Sequence, residues 1–87
     1  MMEENTEEIV LGGIYKHFKG EDHRYKVIAL ARDCENPLII HVIYEQLFDS
    51  KEYKTGQVWR RPLEDFSGFK IKEDGSKVKR FVFIYKP

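Results

Sequence analysis

The side chains with the most chemistry to offer are rings and cations set close together: Tyr15, His17, Lys19, Tyr25, Tyr44, Trp59, Arg60, Arg61 and Arg80. Aromatic faces attract cations and stack on flat groups, while a guanidinium forks onto carboxylates and phosphates. On a small domain such a set can stack nucleic-acid bases, hold a cationic or proline-rich peptide, or take a small polar ligand. The competing reading places Tyr44 and Trp59 in the core and lays the arginine stems along the surface. Arg61 is harder to absorb as ordinary surface. Pro62 fixes the backbone behind it, Trp59 stands two residues before it, and it is placed to stack or to pair with Glu35 or Glu64.

Other chemistries find little footing. His17, His23, His41 and Cys34 have no paired-ligand spacing, so no metal site and no cofactor are expected. Cys34 sits beside Glu35, and a neighbouring carboxylate does not activate a thiol as a nucleophile. The adjacent acids Glu21-Asp22, Glu64-Asp65 and Glu73-Asp74 read as solvated turn residues, and Glu64-Asp65 suits the first turn of a helix. Gly12-Gly13 lacks the lysine and following helix of a phosphate-binding loop. The only catalytic arrangement with a candidate base is His17 partnered by Glu35 or Arg61, which requires convergence in a cleft. The sequence leans away from an enzyme.

Positioning the rings falls to short β-like runs at 13–18, 25–32, 38–48, 58–61, 68–72 and 78–85, separated by turn residues. Tyr25, Val27, Ala29 and Ala31 form one uniformly apolar face of the second run. In the third, Leu38, Ile40, Val42, Tyr44 and Phe48 share one parity. Gly20 offers a positive-φ turn position, and Asp74-Gly75 is a hairpin signal. Pro62 ends the fourth run and opens a single 3₁₀ turn over 62–66. The expected fold is all-β, a small SH3-like barrel of five to six strands spanning 9–87. An OB-type barrel is the runner-up and lacks its usual longer helix.

Bulk properties narrow the setting. Eighty-seven residues make one domain, and 14% aromatic content compensates for limited core volume. The single cysteine excludes an internal disulfide and points to a cytoplasmic setting. Neither a signal peptide nor a membrane span is expected: the longest apolar patch, 38–44, is broken by His41 and falls far below about 18 residues. Residues 1–8 read as a mobile acidic tail. They hold four of the fifteen acids and no base, so the remainder carries a surplus of four positive charges. That surplus suits an anionic partner without demanding one.

The segments Gly13-Ile14-Tyr15-Lys16-His17-Phe18-Lys19-Gly20, Tyr25-Lys26-Val27 with Ala31, Val42-Ile43-Tyr44, Leu47-Phe48, Trp59-Arg60-Arg61-Pro62-Leu63 with Phe66, Gly75 and Arg80-Phe81 follow in that order. In this the chain resembles the bacterial domain of unknown function 1653 across 13–85. The resemblance implies a short stand-alone bacterial SH3-like barrel and no particular activity. Residues 35–41 and 49–57 look longer than the usual pattern, and would shape the rim of any shared ligand site.

The polar motif residues with no turn to make are the candidate ligand-binding set: Tyr15, His17, Lys19, Glu35, Tyr44, Trp59, Arg61 and Arg80. The leading expectation is a non-enzymatic module binding a peptide or small ligand. A weak nucleic-acid binder is the alternative, motivated by the arginine and aromatic mixture.

Overall fold

The structure, a computed structural model, describes residues 8–87. The acidic tail expected at 1–8 therefore lies, Glu8 apart, outside the described residues. Its elements are β1 (Ile14–His17), β2 (Arg24–Arg32), β3 (Ile40–Gln46), β4 (Val58–Pro62), α1 (Leu63–Phe66), β5 (Phe69–Ile71), β6 (Lys77–Lys79) and β7 (Phe81–Tyr85). β4-β3-β2-β1-β7 form one antiparallel sheet, and β5-β6 a separate hairpin. The fold is mostly β with one short helix. Among the described residues no ladder joins β4 to β7, so the sheet does not close on itself as the expected barrel would. Among the described residues no helix is long and apolar enough to cross a membrane.

Four local departures from the sequence reading have physical causes. The run at 78–85 is two strands, because Arg80 turns the chain from one sheet to the other. Its N–H donates to Gly68 O at 3.0 Å on the hairpin side, and its carbonyl accepts from Phe18 N–H at 3.0 Å on the sheet side. The apolar face of β2 is interrupted: pairing shifts between Val27 and Ala29, and the bulge at Ile28 reverses which side chains face inward. The turn after Pro62 is α-helical and not 3₁₀, since Ser67 N–H reaches back four residues to Leu63 O at 2.9 Å. Glu64 and Asp65 do occupy its first turn.

The fourth departure concerns glycine. Gly75 has φ 87° and supplies the left-handed position of the β5–β6 turn. Gly20 is not among the positive-φ residues. Its role is space: a Cβ there would stand 2.5 Å from His23 Nδ1. Gly20→Ala must push the His23 ring off Phe48, which it meets edge-on at 4.6 Å. We expect a loss of about 1–3 kcal/mol in thermal denaturation, the usual range for overpacking. An unchanged melting temperature would contradict this reading of Gly20.

Cross-strand pairing decides which residues share the inner face, because paired residues point the same way. The pairs Tyr15↔Tyr25, His17↔Phe81, Val27↔Tyr44, Tyr25↔Gln46, Tyr44↔Trp59 and Val42↔Arg61 place them all on one side of the sheet. Phe66 descends from α1 onto this face. Its ring stacks on Phe81 at 4.2 Å with planes 7° apart and meets Tyr15 and Tyr44 edge-on. Tyr15, Val27, Val42, Tyr44, Phe66 and Phe81 form the buried cluster. The core is built mostly of rings, and it extends under one half of the face only.

Candidate functional site: an aromatic cleft at one end of the inner face

Beyond the Phe66 cap, the inner face opens into a cleft of about 320 Å³. It lies where β1 ends, β2 begins, β3 ends and β4 begins. The floor comes from the sheet: His17, Tyr25, Tyr44, Gln46, Trp59, Arg61 and Phe81. Lys19 and His23 of the β1–β2 turn form one rim, and Phe48, Ser50 and Tyr53 of the β3–β4 loop form the other. No Asp or Glu lines it among the described residues.

The loop rim is held by a buried amide. Gln46 is 3% exposed. Its Nε2 donates to Phe48 O at 2.9 Å and Tyr53 O at 3.1 Å, and its Oε1 accepts the Trp59 indole N–H at 3.1 Å. Two backbone bonds close the loop onto the same residue: Gln46 N–H to Gln57 O, and Gly56 N–H to Gln46 O. Tyr53 then meets Trp59 edge-on at 4.8 Å. Trp59 is thus part of the cleft floor with a fixed orientation.

Arg61 supplies the charge. Its Nε donates to Tyr44 Oη at 3.2 Å, and its guanidinium carbon stands 5.7 Å from the Phe81 ring centre. The pairing with Glu35 or Glu64 expected from sequence is not formed. The ion pair found among the described residues is Lys16–Glu21, elsewhere on the surface.

His17 sits in this cationic field, and its ring is partly buried. Burial first, then the charges of Lys19, Arg61, His23 and Arg80, lower its pKa from 6.5 to about 4. It is therefore neutral at pH 7. Its Nδ1 accepts from Lys19 N–H at 3.2 Å, which leaves the proton on Nε2 as a donor. Burial, then Tyr44, pushes the Tyr25 phenol above its ordinary range, so it too remains a protonated donor. A base with a lowered pKa needs a proton to accept and an orienting acid. The charges acting on His17 are all cationic, so the catalytic arrangement with Glu35 has no geometry behind it.

The lowered pKa carries a stability consequence. Below pH 6.5 unfolded His17 takes up a proton that the folded protein refuses until about pH 4, so stability falls as pH falls through that window. We expect His17→Gln to flatten the decline in melting temperature between pH 6.5 and 4. The lowered carboxyls of Asp33, Asp49 and Asp74 act further down, as their unfolded counterparts protonate near pH 3.8. Parallel curves for wild type and variant across the upper window would contradict the assignment.

Of the eight candidate residues, the structure gathers five in the cleft: His17, Lys19, Tyr44, Trp59 and Arg61. Tyr15 is core, 1% exposed, with its hydroxyl accepting from Val10 N–H. Arg80 lies outside the lining, its Nε donating to Asp65 O at 3.1 Å. Glu35 is exposed at the far hairpin, where Asp33 Oδ1 accepts its N–H. Among the described residues no three of His, Cys, Asp and Glu gather as a metal site would require. Sequence reasoning missed Gln46, Tyr53, Phe48 and His23. Gln46 had a signal: a polar residue in register with Val42 and Tyr44.

The family described as "Protein of unknown function (DUF1653)" matches residues 13–83, and the chain belongs to it. All the residues lining the cleft fall within that span. No curated protein and no solved structure matches the chain.

Proposed function

We propose that this member of the DUF1653 family is a non-enzymatic binding module whose ligand site is the cleft between Trp59 and Arg61. The observation that carries this is the Arg61 guanidinium, bonded to Tyr44 and with no acid beside it among the described residues, standing by Trp59 and Phe81 on a half-covered aromatic face. The cleft is concave and mixes ring surface with fixed polar groups, and about 320 Å³ suits a small molecule or one or two peptide residues. We further propose an SH3-like arrangement of the two sheets. Arg80, bonded to both, acts as the corner of a small barrel left open between β4 and β7. The single cysteine supports a reducing setting such as a bacterial cytoplasm.

Trp59 is the sole tryptophan, so its emission reports on the site without a label. A library of small acids, amines, aromatics and short peptides should contain compounds that shift or quench that emission saturably. A library that leaves Trp59 silent throughout would overturn the reading. Oligonucleotides belong in the same screen: retention that falls steeply with added salt would favour the nucleic-acid alternative.

A further inference from the structure

An aromatic cleft has two opposite uses. Ring faces bind quaternary and methylated ammonium groups, usually with help from a nearby acid. Here no acid among the described residues lines the cleft, and Arg61 and Lys19 would repel a cation. The Arg61 terminal amines, His17 Nε2–H, the Tyr25 hydroxyl and the Lys19 ammonium are donors with unused capacity, while the unpartnered His23 Nδ1 is buried against Gly20. Gln46, the one amide that could have accepted, has its oxygen taken by Trp59 and its nitrogen by two carbonyls.

The counter-charge required is also limited. One guanidinium is held in the lining by Tyr44, while Lys19 is exposed at the rim and His17 is neutral. This field suits a monoanion with two oxygens for the arginine fork. Trp59, Tyr53 and Phe48 add ring surface to the lining beside it, with Tyr53 meeting Trp59 edge-on at 4.8 Å.

We propose, building on the reading of the cleft as the ligand site, that its occupant is a carboxylate carried on a flat apolar body. The carboxylate sits on Arg61 with donation from His17 and Tyr25, and the flat part lies against Trp59. A small aromatic acid and a chain ending in a free aromatic residue share this chemistry.

Titration of phenylacetate, phenylacetamide and phenethylamine against Trp59 emission at pH 7.5 tests it. The acid should bind at least tenfold more tightly than the amide, and the amine should bind more weakly than either. Arg61→Gln should bring acid and amide to within about twofold, with Arg61→Lys intermediate. Should Arg61→Gln fail to fold, the wild-type acid-to-amide ratio still decides. An acetylated tripeptide ending in a free Phe separates the two sources: tighter binding than phenylacetate favours a chain terminus, weaker binding a small free acid. Equal binding of acid and amide, or preference for the amine, overturns the carboxylate while leaving the cleft as a site. Silence from all three also overturns it, and the site reading falls with it only if the wider library is silent.

Discussion

Phe66→Ala is expected to lower the free energy of unfolding by about 3–5 kcal/mol, as truncation of a buried phenylalanine usually does. The magnitude follows from how much Phe66 holds in place. It is 1% exposed, lies flat on Phe81 at 4.2 Å, and touches Tyr15 and Tyr44 at their edges. It is also the only fully buried residue of α1, so its loss leaves a cavity and frees the helix together. Total stability for a domain of this size is on the order of 5–10 kcal/mol, so the variant stands near the edge of folding. Phe66→Leu keeps most of the volume and should cost far less, about 1–2 kcal/mol. Urea denaturation of the pair checks the prediction. A loss under about 1 kcal/mol for the alanine variant would mean that the core does not depend on this cap.

The second large effect is at Gln46. Gln46→Leu matches the volume but removes three hydrogen bonds, each worth about 1 kcal/mol net. It also leaves the Trp59 indole N–H and the carbonyls of Phe48 and Tyr53 facing a methyl group. We expect about 2–4 kcal/mol of destabilisation, together with release of the loop that carries Phe48 and Tyr53. Hydrogen exchange separates these consequences. Amides at Ser50's partner Tyr53 and at Thr55 should lose protection first, while the β1–β2 ladder keeps its own. If protection falls uniformly across the sheet, Gln46 belongs to the core and does not serve the cleft in particular.

The legibility of this protein in its sequence follows the reach of each signal. Val42 and Tyr44 alternate on β3, so their common inward face was readable from spacing alone. The same logic failed on β2, because one extra residue at Ile28 inverts parity and nothing in an apolar run marks where a bulge falls. Residues 78–85 read as one strand because local pattern is blind to a change of partner. Arg80 switches sheets through main-chain bonds that any residue but proline could make.

The site divides in the same way. Trp59, Arg61 and His17 were singled out by residue type, and pairing across β4, β3, β2 and β1 brought them to one face. Glu35 was included for its charge and chain motif, and a hairpin 33–39 carries it to the other end of β2. Tyr53 was invisible as a site residue because its position depends on a loop folded around Gln46. Lys77 and Lys79 on the hairpin cover apolar surface: both ammoniums lie over the Phe69 ring.

The most direct test of the cleft is a residue-resolved amide and indole chemical-shift map of the protein titrated with the tightest compound of the Trp59 screen. The account predicts that the largest shifts fall on the Trp59 indole N–H, on Lys19, on Gln46 and Tyr53, and on the Arg61 Nε–H, with the β5–β6 hairpin quiet. Shifts concentrated on that hairpin, or on the exposed residues 82–85 of β7, with the Trp59 indole unmoved would contradict it.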